Sequence, residues 1–62
     1  MQFETIYFVE RKSKTDLFYG DILEWTISLS RERTLTMKQD LEKFLTDKDE
    51  TYYIVRSMII TD

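Results

Sequence analysis

The chain has 62 residues, of which 42% are hydrophobic, and twelve acidic against nine basic side chains give it a formal net charge of -3. This length allows one domain, residues 1–62, and the apolar content argues against intrinsic disorder. The acidic excess argues against direct binding to nucleic acid or to an anionic membrane, because both need a concentrated basic face.

Neither Cys nor His occurs in the sequence. Without His, the commonest general base and metal ligand is missing, and the single glycine, Gly20, cannot build a phosphate-binding loop. We therefore expect no enzyme activity, no cofactor and no catalytic or metal-binding residue. Without Cys, no disulfide supplements the small core, and such domains often gain stability by self-association. A homodimer is therefore an expectation.

The apolar runs, such as Met58 to Ile60, are much shorter than the ~20 residues that a membrane span requires. Met1 leads directly into alternating polar and apolar residues, which is not the pattern of a signal peptide. The predicted location is the cytoplasm.

Two strands are predicted in the first half of the chain. Residues 2–10 are rich in β-branched and aromatic side chains and are followed by a polar run that predicts a turn. The second strand is predicted to begin near Leu17, with a bulge or bend at Gly20. A short connection between the two strands favours a hairpin.

A helix is predicted from Thr36 to Leu45, because large apolar residues recur there at i, i+4, i+7 and i+8. These residues are Met37, Leu41, Phe44 and Leu45. Thr36 and Gln39 have the spacing of a capping box. Residues 28–34 are expected to form an irregular link or a single helical turn.

Residues 51–61 have the densest β-branched content and predict a third strand. Since a helix returns the chain across the sheet, this strand fits best antiparallel beside the first, in the order 2-1-3. The predicted fold is a two-layer α+β domain of β-β-α-β type, in which a three-stranded antiparallel sheet packs under one helix.

One helix covers one face of the sheet, so the other face is expected to stay open. We assign the more aliphatic face to the helix, namely Ile6, Phe8, Ile54 and Met58. The open face would then carry the residues predicted to bind a partner, which are Phe3, Tyr7, Tyr53 and Val55; the alternative is that its tyrosines simply tolerate exposure. Trp25 is expected either to close the end of the core or to anchor a partner protein.

Acidic residues of the helix and the following loop offer an alternative binding surface. They are Asp40, Glu42, Asp47, Asp49 and Glu50, with Asp62 at the end of the sequence. Such a row imitates DNA phosphates, although Lys38, Lys43 and Lys48 interrupt it. The other interpretation is a solvated surface.

Five short motifs occur once each along the chain, in this order: Phe18-Tyr19-Gly20, Trp25-Thr26, Leu29, Leu35-Thr36 and Tyr53-Ile54-Val55. In these motifs the chain resembles short accessory proteins encoded by phages and prophages. The resemblance implies a phage-type accessory protein of β-β-α-β fold and carries over no catalytic residue.

Taken together, these patterns predict a non-enzymatic module that binds and modulates a host protein in the host cytoplasm. Its affinity would come from the aromatic open face, and strand addition at an exposed edge of strand two or three is a second route. The alternatives are a DNA-mimic inhibitor of a nucleic-acid enzyme and a structural homodimer whose open faces pack together.

Overall fold

The computed structural model describes residues 2–61, which form three strands and one helix. The strands are β1 (Phe3–Ser13), β2 (Gly20–Ser28) and β3 (Thr51–Thr61), and the helix α1 (Arg31–Phe44) connects β2 to β3. All three strands pair antiparallel in one sheet with the order β2-β1-β3. The predicted α+β class, element order and sheet order are confirmed.

The ladder between β1 and β3 is uninterrupted along the whole length of both strands. β1 continues to Ser13, past the predicted end at residue 10. Ion pairs accommodate its charged end, because Arg11 Nη2 lies 2.6 Å from Asp21 Oδ2 and Lys12 Nζ lies 3.4 Å from Glu10 Oε1. Arg11 and Lys12, at the start of the polar run that indicated a turn, are therefore part of the strand, and the chain leaves β1 only after Ser13.

β2 pairs with β1 in two separate pieces. Residues 20–23 lie opposite residues 12–9, after which the register shifts and pairing returns only where Ser28 lies opposite Tyr7. The intervening residues 24–27 bulge out of the ladder. The chain irregularity therefore lies in the second half of β2.

The bulge predicted at Gly20 is wrong, because this residue pairs regularly with Lys12. A Cβ at this position would lie 2.5 Å from Glu10 Oε1, so a larger residue would require the end of the glutamate side chain to move. The hydrogen of Gly20 leaves room for the glutamate side chain beside it.

Thr26 repairs the interrupted ladder with its side chain. Its Oγ1 accepts a hydrogen bond from the N–H of Val9 at 2.8 Å and donates one to the carbonyl of Leu23 at 2.5 Å. Both Thr26 and Val9 are completely buried, and a buried N–H without a partner costs about 1–3 kcal/mol. The hydroxyl thus replaces the backbone partner that the bulge removes.

Thr34 joins the first turns of α1 to the same point. It is also completely buried, and its Oγ1 lies 3.4 Å from the Thr26 carbonyl, 3.5 Å from the Tyr7 carbonyl and 3.3 Å from the Ser30 carbonyl. One hydroxyl proton serves one of these acceptors at a time. The hydroxyl of Thr34 therefore attaches the first turns of α1 to the bulge in β2 by a hydrogen bond.

The helix begins at Arg31, five residues before the predicted Thr36. Ser30 is the N-cap, because its side chain accepts a hydrogen bond from the N–H of Arg33 at 3.3 Å. Thr36 lies inside the helix, where its hydroxyl donates to the carbonyl of Glu32 at 3.0 Å. The capping box predicted at Thr36 is therefore wrong, and the link expected at 28–34 is partly helical.

The helix ends at Phe44, close to the predicted end at Leu45. Of its predicted apolar stripe, Met37, Leu41 and Leu45 are half-buried, whereas Phe44 is exposed.

The described chain contains no helix with the length and apolar character that crossing a membrane requires.

α1 covers the face of the sheet opposite to the predicted one. Val9 lies in the central strand and is completely buried, so its face must be covered. We call this side the helix face and the other side the open face. The residues wrongly predicted to pack against the helix lie on the open face; they are Ile6, Phe8, Ile54 and Met58.

The handedness of the chain explains this arrangement. β2 and β3 are parallel and flank β1, so α1 is a crossover between them, and crossovers of this kind are right-handed. The N–H of Val9 points toward β2. With a right-handed crossover, residues of β1 whose N–H groups point toward β2 project their side chains toward the helix.

The open face is partly shielded by its own side chains. Arg56 lies directly opposite Phe8, and its Nε is 3.7 Å from Glu10 Oε2. The arginine side chain therefore passes beside Phe8, which is only 4% exposed. Farther along the face, Met58 and Ile60 are exposed.

Burial is sparse for a folded chain of this size. Within residues 2–61, Phe8 and Val9 are the buried apolar residues. The Cα atoms span 43 × 24 × 13 Å. The accessible surface of 4908 Å² exceeds by about 600 Å² the roughly 4,300 Å² expected for a compact monomer of this mass. Part of the excess lies where β1 and β3 extend beyond β2, because Phe3 and Ile59 are exposed there.

Replacing Thr26 by Val tests the side-chain repair of the ladder. The substitution keeps the shape but removes the hydroxyl, so we expect a loss of about 1–3 kcal/mol in the free energy of unfolding, measured by urea denaturation. Thr36→Val is the matched control, and its exposed hydroxyl should change stability by less than about 0.5 kcal/mol. Equal effects of the two substitutions would contradict the assigned role of Thr26.

A second pair of substitutions tests where the helix begins. Ser30→Ala should destabilise the protein by about 1 kcal/mol because it removes the N-cap. Thr36→Ala should be neutral or slightly stabilising because alanine is the better residue inside a helix. Thermal unfolding followed by circular dichroism measures both, and a larger loss for Thr36→Ala would place the cap at Thr36.

Candidate functional site

Trp25 is displayed at the margin of the sheet by the bulge in β2. Its neighbour Thr26 turns inward to bond to Val9, while the indole of Trp25 remains 64% exposed beside α1. The interpretation that Trp25 closes the end of the core is therefore wrong. Of the two alternatives drawn from the sequence, its exposure fits the partner anchor.

Trp25 forms one wall of a shallow cleft of about 240 Å³ between β2 and α1. Phe44, 84% exposed at the end of the helix, forms another wall, and the half-buried Met37 and Leu41 complete the apolar lining. The spacing of residues 37, 41 and 44 places all three on the side of the helix that faces Trp25. The cleft is therefore apolar, open and ready for an apolar side chain.

Asp40 supplies the charged group of the cleft. Its nearest described cation is Lys43, with Nζ 3.7 Å from Oδ1, and both side chains are mostly exposed. Exposed pairs of this kind contribute little. The carboxylate of Asp40 is consequently accessible to a cation from a partner.

The other residues predicted to bind a partner do not form one exposed surface. Tyr7, Tyr53 and Val55 lie half-buried on the helix face. Phe3 is on the same face but is 67% exposed, because it lies beyond the end of β2. Trp25 lies at the opposite margin of the sheet from β3, so the structure separates it from Tyr53 and Val55.

The predicted acidic surface is partly neutralised on the helix. Lys38 Nζ lies 2.7 Å from Glu42 Oε1, and Lys43 reaches toward Asp40. The remaining described acids are exposed in the following loop; they are Asp47, Asp49 and Glu50. Asp62 lies outside the described residues. Residues 2–61 contain no group of three or more acidic side chains arranged to hold a metal ion.

The exposure of Phe18 was not predicted from the sequence; this residue lies in the loop between β1 and β2 and is the most exposed large apolar residue of the described chain. Phe18 is 98% exposed, and its N–H bonds to Asp16 Oδ1 at 3.1 Å. Nearby, a hydrogen bond to Tyr19 and the charge of Asp21 raise the pKa of Arg11 above its ordinary value. The signal available in the sequence was the Asp two residues before Phe18, which favours a turn stabilised by its side chain.

Comparison with known proteins gives no relative for this chain: no protein-family model matches it, and no curated protein or solved structure shows significant similarity to it. The functional argument therefore depends on the residues and their geometry.

The fluorescence of Trp25, the single tryptophan of the chain, tests the geometry of the cleft. We expect emission typical of a solvated indole and efficient quenching by acrylamide. Phe44→Ala removes one wall and should increase the quenching further, whereas Phe18→Ala, at a residue that does not line the cleft, should leave it unchanged. Blue-shifted emission that acrylamide does not quench would show a buried tryptophan and contradict the cleft.

Proposed function

We propose that this protein is a non-enzymatic protein-binding module that receives an apolar side chain of a partner in the cleft between β2 and α1. The observation that carries the proposal is the exposure of Trp25 and Phe44, which both line one mainly apolar cleft. Tryptophan is among the residues that contribute most to binding at protein interfaces. A small folded chain has little reason to display two large aromatic side chains together unless a partner covers them.

The charge of the site defines the partner segment more closely. Asp40 lies on the rim of an otherwise apolar cleft, so the best ligand is an aliphatic or aromatic side chain followed closely by Lys or Arg. The formal net charge of -3 favours the approach of a basic surface. The apolar contact supplies most of the affinity, while the carboxylate sets orientation.

The proposed biological setting follows from the sequence motifs. Because the chain resembles phage and prophage accessory proteins, we place the partner among the proteins of a bacterial host cytoplasm, where binding would inhibit or modulate the target. The DNA-mimic alternative has less support, because Lys38 pairs with Glu42 on the helix, and Lys43 and Lys48 add positive charge among the other acidic residues.

Site-specific photo-crosslinking tests the binding function. Replacing Phe44 by benzoylphenylalanine puts a reactive aromatic group on the wall of the cleft, and irradiation in bacterial lysate should give a discrete adduct. The same group at Phe18 is the control, because that residue is also exposed but does not line the cleft. Adding Trp25→Ala should weaken binding by about 2 kcal/mol, or roughly 30-fold, and abolish the adduct.

High salt distinguishes the contributions to this interaction. The adduct should persist in high salt because the main contact is apolar, and Asp40→Asn should weaken it only moderately. An adduct that Trp25→Ala leaves intact, or one formed equally from Phe18, would contradict binding in the cleft.

A further inference from the structure

We propose that the outer edge of β3 pairs with β3 of a second copy of this chain, antiparallel and about a twofold axis at Ser57. This surface is separate from the cleft, because β3 and β2 form opposite margins of the sheet. The proposal does not depend on the partner proposed for the cleft.

The hydrogen bonds of β3 show which of its backbone groups are free. The N–H of Lys14 donates to the carbonyl of Glu50 at 2.7 Å, immediately before the β1–β3 ladder begins. Bonded pairs recur at every second residue of an antiparallel ladder, so the even-numbered residues of β3 bond to β1. The N–H and C=O groups of its odd-numbered residues point outward. Consistent with this, the N–H of Thr51 bonds away from β1, to the carbonyl of Asp47 at 3.0 Å.

The length of the free edge locates the twofold axis. Because the Asp47 loop already uses the N–H of Thr51, the free edge runs from Tyr53 to Thr61, and Ser57 is its midpoint. An antiparallel copy centred there finds a partner for every outward group. The register places Val55 opposite Ile59 of the second copy, which covers a side chain that is 68% exposed in the monomer.

β3 has few of the devices that keep natural strand edges from pairing. Protected edges are short or bulged, or they carry proline and outward charges. β3 contains no proline, has a single charged residue, Arg56, and pairs with β1 without a bulge. Arg56 is turned toward Glu10 on the open face. The other margin, β2, is interrupted by its bulge, so the two edges are not equivalent.

Charge and side-chain register both favour a second copy as the occupant. With the axis at Ser57, Arg56 lies opposite Met58 of the other chain and remains close to its own Glu10, so the two guanidinium groups are not directly opposed. Ile54 lies opposite Ile60, which extends the apolar contact.

Cysteine cross-linking tests both the dimer and its register. Residues in a hydrogen-bonded antiparallel pair have Cα atoms about 5.5 Å apart, within the range for a disulfide. Ser57→Cys should therefore form a covalent dimer under mild oxidation, and the absence of native cysteine makes the assay specific. Ile59→Cys is the control, because two copies of residue 59 would be about 14 Å apart and should not cross-link.

The mass in solution supplies an independent measurement. Light scattering on the unmodified chain should give a value that rises with concentration toward twice 7.6 kDa. Ser57→Pro removes an outward N–H without touching the bonds to β1, and Ile59→Lys adds a charge to the edge. Each should weaken dimerisation by tenfold or more, while Phe18→Lys should have no effect. Circular dichroism checks that the variants remain folded.

Three results would overturn the proposal. The first is an unmodified chain that remains monomeric at every concentration, which would leave the edge to another protein. The second is cross-linking at residue 59 and not at residue 57. The third is a folded Ser57→Pro variant that dimerises as tightly as the unmodified chain.

Discussion

The hydrogen bond from the Val9 N–H to the Thr26 hydroxyl holds together a sheet whose backbone ladder is broken at that point. The carbonyl of the same threonine lies within reach of the Thr34 hydroxyl on α1, so β1, β2 and the helix meet at one buried polar site. The described chain has few buried apolar side chains. The hydrogen bonds around Thr26 therefore contribute a larger share of the stability than polar contacts do in larger domains, which have larger apolar cores.

The same break makes the two margins of the sheet different. On the β2 side, the bulge turns Thr26 inward and leaves Trp25 exposed beside α1. On the β3 side, the unbroken ladder keeps the strand extended and its outer groups in register. One margin can receive a single apolar side chain, whereas the other suits the backbone of another strand. A dimer formed through β3 would present two clefts facing outward, so self-association and partner binding would not compete.

The strand order was predictable because a short first connection favours a hairpin, and a helical return favours a strand on the far side of β1. The start of the helix was not predictable from the apolar stripe, because Ser30 precedes that stripe. The first turns are held by the buried Thr34, and the burial of a polar residue does not follow from apolar periodicity. The covered face was also missed, since both sets of side chains in β1 are apolar and the choice depends on the hand of the crossover. The exposure of Trp25 depends on the bulge. Residues 24–27 contain no Gly or Pro, so the sequence gives no signal that predicts a bulge there.

Amide hydrogen exchange, measured residue by residue by NMR, tests the central role of Thr26 most directly. The N–H of Val9 bonds to a side chain rather than to a strand, and that of Thr5 points to the same side, where residues 2–61 provide no pairing strand. If Thr26 completes the ladder, Val9 should be protected as strongly as the amides between β1 and β3, while Thr5 exchanges rapidly. Equal, rapid exchange at Val9 and Thr5 would show that the hydroxyl does not close the ladder and would contradict the account.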